Sequence, residues 1–402
     1  MAKLLWGKVY FKDIFAGYLR EEPGERITFT YDSSYIAAAN PAIAYTLPVR
    51  EAPHISNNGL HPFFDNLVSE GWLERAQSRL LGRRQVTRFE LLLAFGFDCA
   101  GAVSVVDPEP APLTQAMLDV DNPKEMAVFT SRASLSGVQP KLTVIEKNGV
   151  FQPARTDELS THIAKFPSSN HPDLIENEYL TTLAYKALLP DDAVVALQMG
   201  HVAGVNDPAL LIERFDRHAG QRRHFEEFNQ LLDFPSKAKY NGAYKTMADF
   251  IKQAEGCLPA QNYTLYRRIL AGILLGNTDM HLKNFAMFHQ KEGLRFTPSY
   301  DQVAAAHYSY KTVALAIAGA ADLPIGNLKP ANIIKLGEEF GLNSAAIKMA
   351  VEGLAKNVQA AKERVAQADA GSEHLKNALI NLMEKRWNGT FALIGQTLLN
   401  KQ

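Results

Sequence analysis

Along the first hundred residues the apolar positions change period twice. Val9 and Phe11, then Ile27, Phe29 and Tyr31, alternate with polar neighbours, which predicts half-buried strands with a turn at Pro23-Gly24. Phe63, Phe64, Leu67, Val68, Trp72 and Leu73 recur at helical spacing, as do Phe89, Leu92, Leu93 and Phe97. The aromatics among them read as core rather than as a ligand box. Gly101 to Val106 reads as a closing strand, and Asp107-Pro-Glu-Pro-Ala-Pro puts three prolines in six residues, which suits a linker. The pattern predicts a module at 1–107 and a linker at 108–126.

From 127 the chain turns strand-rich. Leu142 to Ile145 is a short apolar strand, and Lys147-Asn148-Gly149 carries the Asn-Gly pair that favours a hairpin. Thr161 to Pro167 reads as a strand with Lys165 near its end. Leu174 to Leu189 is helical, with Glu176, Asn177 and Glu178 in its first turns, and Leu210 to Arg217 is a strand with a charged exit. This second segment is placed at 127–220. The third, 221–402, is mostly helical. In it the run Ile269, Leu270, Ile273, Leu274, Leu275 ends at Gly276, and a break is expected between Gly337 and Gly341. Asn343 and Ser344 are N-cap candidates for a helix with Ile347, Val351, Leu354, Val358 and Val365 on one face. A last helix carries Leu375, Leu379, Leu382 and Arg386, and these late helices read as structural.

Composition acts mainly by exclusion. With 402 residues, 47% hydrophobic and 21% charged, the chain suits a soluble protein of two or three domains. A formal net charge of −1 provides no field that would draw it to nucleic acid or to a membrane. Cys99 and Cys257 have no Cys-x-x-Cys or Cys/His neighbours, so two reduced thiols are expected, at least one in a core. The opening Met-Ala-Lys-Leu-Leu-Trp lacks a signal-peptide apolar stretch, and no run approaches a membrane span, so a cytoplasmic location is expected.

The chemistry concentrates at Gly276-Asn-Thr-Asp-Met-His-Leu-Lys-Asn-Phe285 and Ser299-Tyr300-Asp301. Asp279 and Asn284 are five apart, the D-x-x-x-x-N spacing of a kinase catalytic loop, in which the Asp accepts the proton of the attacking hydroxyl and the Asn helps to hold magnesium. Such a pair alone is usually a helix cap. His281 and Lys283 between them, and Asp301 after an expected hairpin, exceed what a cap requires.

Upstream, Lys165 has the position of a lysine that binds the α- and β-phosphates of ATP, oriented by Glu178 or Glu176, which spacing does not separate. The alternative is an edge-strand lysine that discourages aggregation. The 134–141 loop has one glycine, Gly137, so no phosphate cradle follows from glycine count. Ser134 and Ser136 could donate to phosphate or be ordinary turn residues, and Lys141 reads as a solvated charge. Glu213 and Phe215 fall where a linker between kinase lobes passes adenine. Asp216 contacts ribose or pairs with Arg214 or Arg217, two readings of similar weight. Lys237, Lys239 and Tyr240 read as a solvated basic loop before they read as a substrate-facing one.

Taken together, Ser134-Leu-Ser-Gly-Val-Gln-Pro-Lys141, His162-Ile-Ala-Lys165, Asn177-Glu-Tyr179, Glu213-Arg-Phe-Asp-Arg217, Gly276 to Phe285 and Tyr300-Asp301 resemble the HipA family of bacterial serine/threonine kinases, toxins of toxin–antitoxin pairs. Phe63-Phe-Asp-Asn-Leu67 and Gly101-Ala-Val-Ser104 resemble the family's N-terminal module, so the likeness covers most of the chain and weakens after about 330. It implies an α+β, two-lobed, protein-kinase-like fold that uses ATP and Mg2+. Asp279 is then the catalytic base, and Asn284 and Asp301 hold the metal. Lys165, Ser136, Gly137, Glu213, Phe215 and Asp216 serve ATP, with Glu178, His281 and Lys283 in support. It also implies inhibitory autophosphorylation at Ser134 or Ser136. The implied target is an aminoacyl-tRNA synthetase, and the implied partner is a HipB-like helix-turn-helix antitoxin through which alone operator DNA is met, with no membrane. The Ser-x-Ser of the loop matches the branch whose N-terminal module is a separate chain, whereas here the module is fused. The competing reading from another class is a catalytically silent co-repressor of the antitoxin. A small-molecule phosphotransferase on a related fold is a third.

Overall fold

The computed structural model describes residues 4–82, 85–110, 112–114, 124–125, 128, 134–135, 139–155, 158–394 and 397. The chain forms two compact units, one of residues 1–169 with 197–238, the other of residues 170–196 with 239–402.

The first unit holds two five-stranded antiparallel sheets. In one, β1 (Trp6–Phe11), β2 (Ile14–Glu22), β3 (Arg26–Tyr31), β4 (His54–Ser56) and β5 (Val103–Val106) take the order β4-β3-β2-β1-β5. The alternation read at Val9, Phe11, Ile27, Phe29 and Tyr31 sends those side chains inward, and all five are buried. A short helix, α1 (Ser33–Ala37), follows β3, and beyond it the helical pattern from 63 to 73 is interrupted. Helix α2 (Pro62–Asp65) stops, and α3 (Gly71–Leu80) starts afresh, while α4 (Arg88–Phe95) ends before Phe97, which is exposed. Thr87 and Glu90 close a capping box at the start of α4.

The other sheet takes the order β7-β6-β8-β10-β9, from β6 (Lys141–Lys147), β7 (Val150–Pro153), β8 (His162–Lys165), β9 (Leu197–His201) and β10 (Pro208–Glu213). Asn148 and Gly149 both have positive φ, 54° and 79°, so the Asn-Gly signal builds the two-residue hairpin expected of it. Strand β10 stops at Glu213. Arg214 to Arg217 is a turn rather than the strand exit expected, with the Arg217 N–H donating to the Arg214 carbonyl at 3.2 Å.

Val9, Phe29, Phe64 and Leu92 share a single hydrophobic core with Leu142, Val144, Ala164, Phe166 and Leu211. The segments expected as separate domains at 1–107 and 127–220 are therefore one folded body. Most of the expected linker, 108–126, lies outside the described residues. Asn66 donates to the Phe234 carbonyl and the Ser236 N–H donates to Asp65, which binds 224–238 into the same unit and moves the boundary from 220 to 238.

The second unit is mostly helical: α5 (Leu174–Leu188), α6 (Tyr244–Gln253), α7 (Ala260–Leu275), α8 (Pro330–Glu339), α9 (Ser344–Ala366) and α10 (Glu373–Gly389), with one hairpin of β11 (Ala286–Gln290) and β12 (Gly293–Phe296). Helix α5 thus belongs with the helical unit, not with the strands that precede it in sequence. Asn343 caps α9 by accepting from the Ala346 N–H at 2.9 Å, and Ile347, Val351, Leu354 and Val365 are buried along one face. Gly337 falls inside α8 instead of at its end, where a side chain would collide with Ile347. The break comes at Gly341, with φ 81°.

Among the described residues no helix is long and apolar enough to cross a membrane. Both cysteines are free thiols, and burial pushes Cys99 up to about 12, which makes it inert.

Candidate active site

Helix α7 is buried along Leu265, Tyr266, Ile269, Leu270, Ile273 and Leu274, and it ends where Gly276 enters the left-handed region at φ 79°. The Asn277 N–H donates back to the Gly272 carbonyl at 2.8 Å, and Met280 lies over Gly272, where any Cβ would collide with its sulfur. The chain therefore leaves the helix along a fixed path. Asn277 accepts from the Asp279 N–H at 3.1 Å and donates to the Asp301 carbonyl at 3.4 Å and to Gln302 Oε1 at 3.3 Å. One amide side chain thus ties both acidic positions to the end of one helix.

Asp279 reaches the surface. Its Oδ1 accepts from the Tyr240 hydroxyl at 2.8 Å. Burial on its protein side raises its carboxyl above the usual range; the Tyr240 hydrogen bond and the Lys239 charge lower it, and the Asp301 carboxylate pushes it up. The Lys239–Tyr240 segment is exposed at Tyr240, as expected of a solvated loop, but it is also tied to the 279–284 loop. The Lys239 carbonyl accepts from the Leu282 N–H at 3.1 Å, which fixes the loop beside the carboxylate. Tyr240 is the residue that sequence reasoning missed, and its only signal was an aromatic next to two lysines.

His281 is buried and acts as a corner post. Its Nδ1 accepts from the Lys283 N–H at 3.3 Å, its own N–H donates to Asn284 Oδ1 at 3.2 Å, and its ring stands edge-on to Tyr240 at 4.9 Å. Lys283 is buried too, and its carbonyl accepts from the Tyr300 hydroxyl at 2.8 Å. These bonds bring Asn284 to Asp301, with Asn284 Nδ2 3.4 Å from Asp301 Oδ2. Asp301 has φ 53°, a left-handed conformation that Asp tolerates better than most residues. An amide oxygen and a carboxylate are the hard ligands magnesium takes, and Asn284 Oδ1 has a second lone pair beyond the one facing His281, so the donor set fits that ion.

Glu178 is buried on α5. Beside it Asn177 accepts from the Ala304 N–H at 2.9 Å, which fastens the helix to the segment after Asp301.

In the first unit Lys165 is buried at the end of β8, directly opposite Leu210 on one side and Lys141 on the other. Lys141 is buried as well, which corrects its reading as a solvated charge. Two lysines facing each other across neighbouring strands concentrate positive charge at one spot. Glu213 is exposed, and Phe215 is half-buried with its ring 5.0 Å from Phe225.

Asp216 does not point to a ribose. It is buried, and its two oxygens accept from Arg214 Nε at 2.9 Å, Arg214 Nη2 at 2.7 Å, Arg217 Nη1 at 2.8 Å and the Gly101 N–H at 2.8 Å. The salt-bridge alternative is the one observed. Ser134 is buried, with its hydroxyl donating to the Leu67 carbonyl at 2.7 Å and lying 3.0 Å from Ser69 Oγ. Ser136 and Gly137 lie outside the described residues.

Family comparison matches residues 133–362 to the HipA-like C-terminal domain and residues 7–106 to the HipA N-terminal domain. The putative kinase Y4mE of Sinorhizobium fredii is 23% identical over 402 residues, covering 93% of this chain and 94% of its own. The serine/threonine-protein kinase toxin HipA of Shewanella oneidensis is 27% identical over 341 residues, 76% of this chain and 77% of its own. An uncharacterized protein of Haemophilus influenzae matches 25% of this chain at 30% identity, which is 89% of that protein. Among solved structures, the Shewanella oneidensis toxin–antitoxin complex of HipA, HipB and operator DNA aligns with a TM-score of 0.75 at 22% identity, covering 97% of this chain and 99% of that one.

Proposed function

Since the chain belongs to the HipA family, whose C-terminal model alone spans more than half of it, we propose that it is an ATP- and magnesium-dependent serine/threonine protein kinase. We read it as the toxin of a toxin–antitoxin pair. The observation that carries this reading is the joint attachment of Asp279, Asn284 and Asp301 to one helix end through Gly276 and Asn277. A catalytically silent binding partner has no use for a solvent-reaching carboxylate held beside a metal-type ligand pair.

In this reading Asp279 takes the proton of the attacking serine or threonine hydroxyl as that oxygen bonds to the γ-phosphorus of ATP, while the bond from phosphorus to the β–γ bridging oxygen breaks and ADP leaves. Asp279 Oδ1 is oriented by Tyr240, while its solvent-facing side can meet the substrate. Lys165 holds phosphate oxygens, and Lys141, its cross-strand partner, adds a second cation there. Ser136 and Gly137 are assigned to ATP binding, and the backbone at Glu213 and Phe215 is assigned to adenine. Asn284 and Asp301 would hold magnesium, which supplies charge neutralisation to the transferred phosphoryl group. Glu178 or Glu176 is the proposed carboxylate partner of Lys165, and His281 and Lys283 hold the 279–284 loop in shape.

A phosphate on Ser134 brings about −1.5 to −2 charges to a hydroxyl now buried against Leu67 and Ser69, so the segment must leave its seat. That supports an inhibitory autophosphorylation, with Ser136 the other acceptor. The partner is proposed to be a HipB-like helix-turn-helix antitoxin, on the strength of the fold shared with the HipA of the HipA–HipB–operator complex. Operator DNA is met through that partner, and the target is proposed to be an aminoacyl-tRNA synthetase.

The test is transfer of labelled phosphate from ATP, wild type beside Asp279→Ala, against a lysate and a panel of synthetases, with phosphopeptide mapping of the kinase itself. We expect one labelled synthetase and label on Ser134 or Ser136, in the wild-type lanes only. No transfer to any protein by the wild type would reject the kinase, and self-label confined to other residues would reject the loop mechanism.

A further inference from the structure

Behind the turn at 214–217 five charged side chains are buried together: Asp98, Arg214, Asp216, Arg217 and Arg222, with exposures of 1–6%. Arg214 holds both oxygens of Asp216, and it reaches Asp98 Oδ2 at 3.3 Å, Ser160 Oγ at 2.9 Å and the Cys99 carbonyl at 3.0 Å. Arg217 donates to Asp98 Oδ1 at 2.7 Å and to the carbonyls of Cys99 at 2.8 Å and Gly101 at 3.0 Å. Arg222 donates to the Phe97 carbonyl at 2.7 Å, and Ser160 Oγ donates to Asp98 at 2.6 Å. Residues 97–101 come from the N-terminal module; the arginines and Asp216 come from the segment after β10.

Stability alone does not account for this cluster. Removing five charges from water is expensive, and apolar side chains of similar volume commonly hold a core as well or better. What the cluster offers that an apolar patch does not is directional geometry, since each guanidinium fork accepts one arrangement of partners. The burial pattern shows where that geometry is applied. Arg214 and Asp216 are buried among the partners above, while Glu213, the last residue of β10, is exposed and Phe215 is half-buried against Phe225. Arg214 and Asp216 thus anchor the segment into the fold, and the Arg214 N–H also donates to the Thr161 carbonyl at 2.9 Å, while Glu213 and Phe215 keep the more exposed side chains.

We infer that residues 97–101 of the N-terminal module are a positioning element for nucleotide binding, fixing the backbone of Glu213 to Phe215 through Arg214 and Asp216. This rests on the reading of 213–215 as the adenine contact. The N-terminal module then sets the affinity for the adenine end of ATP, although none of its residues touches the nucleotide. Asp98 and Ser160 are positioning residues in this scheme.

The test uses the full-length chain and two variants, Ser160→Ala, which keeps every charge, and Asp98→Asn, which keeps the shape. ATP binding and tripolyphosphate binding are measured by calorimetry in magnesium, alongside kcat and KM for transfer. A displaced hinge weakens ATP binding about tenfold in Asp98→Asn and less in Ser160→Ala, while kcat changes less than about twofold. Tripolyphosphate affinity stays at the wild-type value, since that ligand has no adenine. A merely structural role would lower both affinities together, and that outcome overturns the inference. It is equally overturned if the variants melt like wild type and bind ATP like wild type. Should Asp98→Asn fail to fold, Ser160→Ala decides. Wild type that binds neither ligand brings down the kinase reading and this inference with it, a result distinct from the other two.

Discussion

Tyr240 shows how much of the behaviour of the proposed base, Asp279, is supplied from outside its motif. Its hydroxyl fixes one oxygen of Asp279 and stabilises the ionised form, against the burial and the Asp301 charge that raise the carboxyl. A general base must be ionised to accept a proton, so the rate rises with pH through the Asp279 pKa. Tyr240→Phe removes a contribution that lowers that pKa. The acid limb of the transfer rate should therefore move to higher pH, with a several-fold loss of rate near its midpoint, as expected for one hydrogen bond to a charged group. A limb that stays in place or moves down would show that Tyr240 does not act through Asp279. That Asp279, Asn284 and Asp301 come together beyond the end of one helix was legible in the sequence, because their spacing is local. Tyr240 was not, because it arrives from 39 positions upstream and a loop tyrosine beside lysines has no fixed meaning. Lys141 was misread for a related reason, since the strand that buries it begins at that very residue.

At the scale of elements, the end of α7 was plain in the sequence. An apolar run stopping at glycine predicts a left-handed cap, and Gly276 adopts one. A Cβ there would meet only Ala306 and Leu382 at 3.4 and 3.5 Å, so alanine is opposed mainly by backbone conformation. Gly276→Ala should lower unfolding free energy by about 1–2 kcal/mol, read by denaturant titration, and should lower transfer further by displacing Asn277 and the groups it holds. Stability equal to wild type would count against the cap. The break between α2 and α3 could not be read, because the residues in it serve distant partners. Asn66 donates to the Phe234 carbonyl, and Ser69 pairs with Ser134 and accepts from the Leu135 N–H. Helical spacing continues through 66–70 in sequence while the polar groups there take the backbone elsewhere. The early end of β10 has the same origin, in the burial of Arg214 and Asp216.

For the whole molecule, the boundary that three prolines suggested at about 107 coincides with the end of the N-terminal family match at 106, and the residues on either side of it share one core. Prolines report a local break in regular structure and say nothing about which side chains pack together afterwards. The pairing of Asp216 with Arg214 and Arg217 was within reach of sequence reasoning. Asp98, more than a hundred positions away, was not. Burial alone would raise Asp98 and Asp216, but the Arg214 and Arg217 charges outweigh it and hold both carboxyls below the usual range. A depressed carboxyl contributes stability above its unfolded pKa of about 3.9 and loses it as pH falls toward the folded value. The difference in unfolding free energy between wild type and Asp98→Asn should therefore be full at neutral pH and close below about pH 4. A gap that does not vary with pH would mean that Asp98 is not ionised in the folded chain.

The interleaving of the two units also has a consequence in time. Helix α5 leaves the ribosome early but belongs with α9, where Asn357 donates to the Leu188 carbonyl at 3.1 Å, and α10 places Leu382 beside Gly276. At about 5–20 residues per second, α5 waits on the order of ten seconds for those helices. A polypeptide that ends between Asp301 and the start of α9 carries Asp279, Asn284 and Asp301 but lacks the helices that complete their unit. In a chain of this build the helical unit is complete only once α9 and α10 have been made, so a broken message separates the loop at 276–301 from the helices that support it.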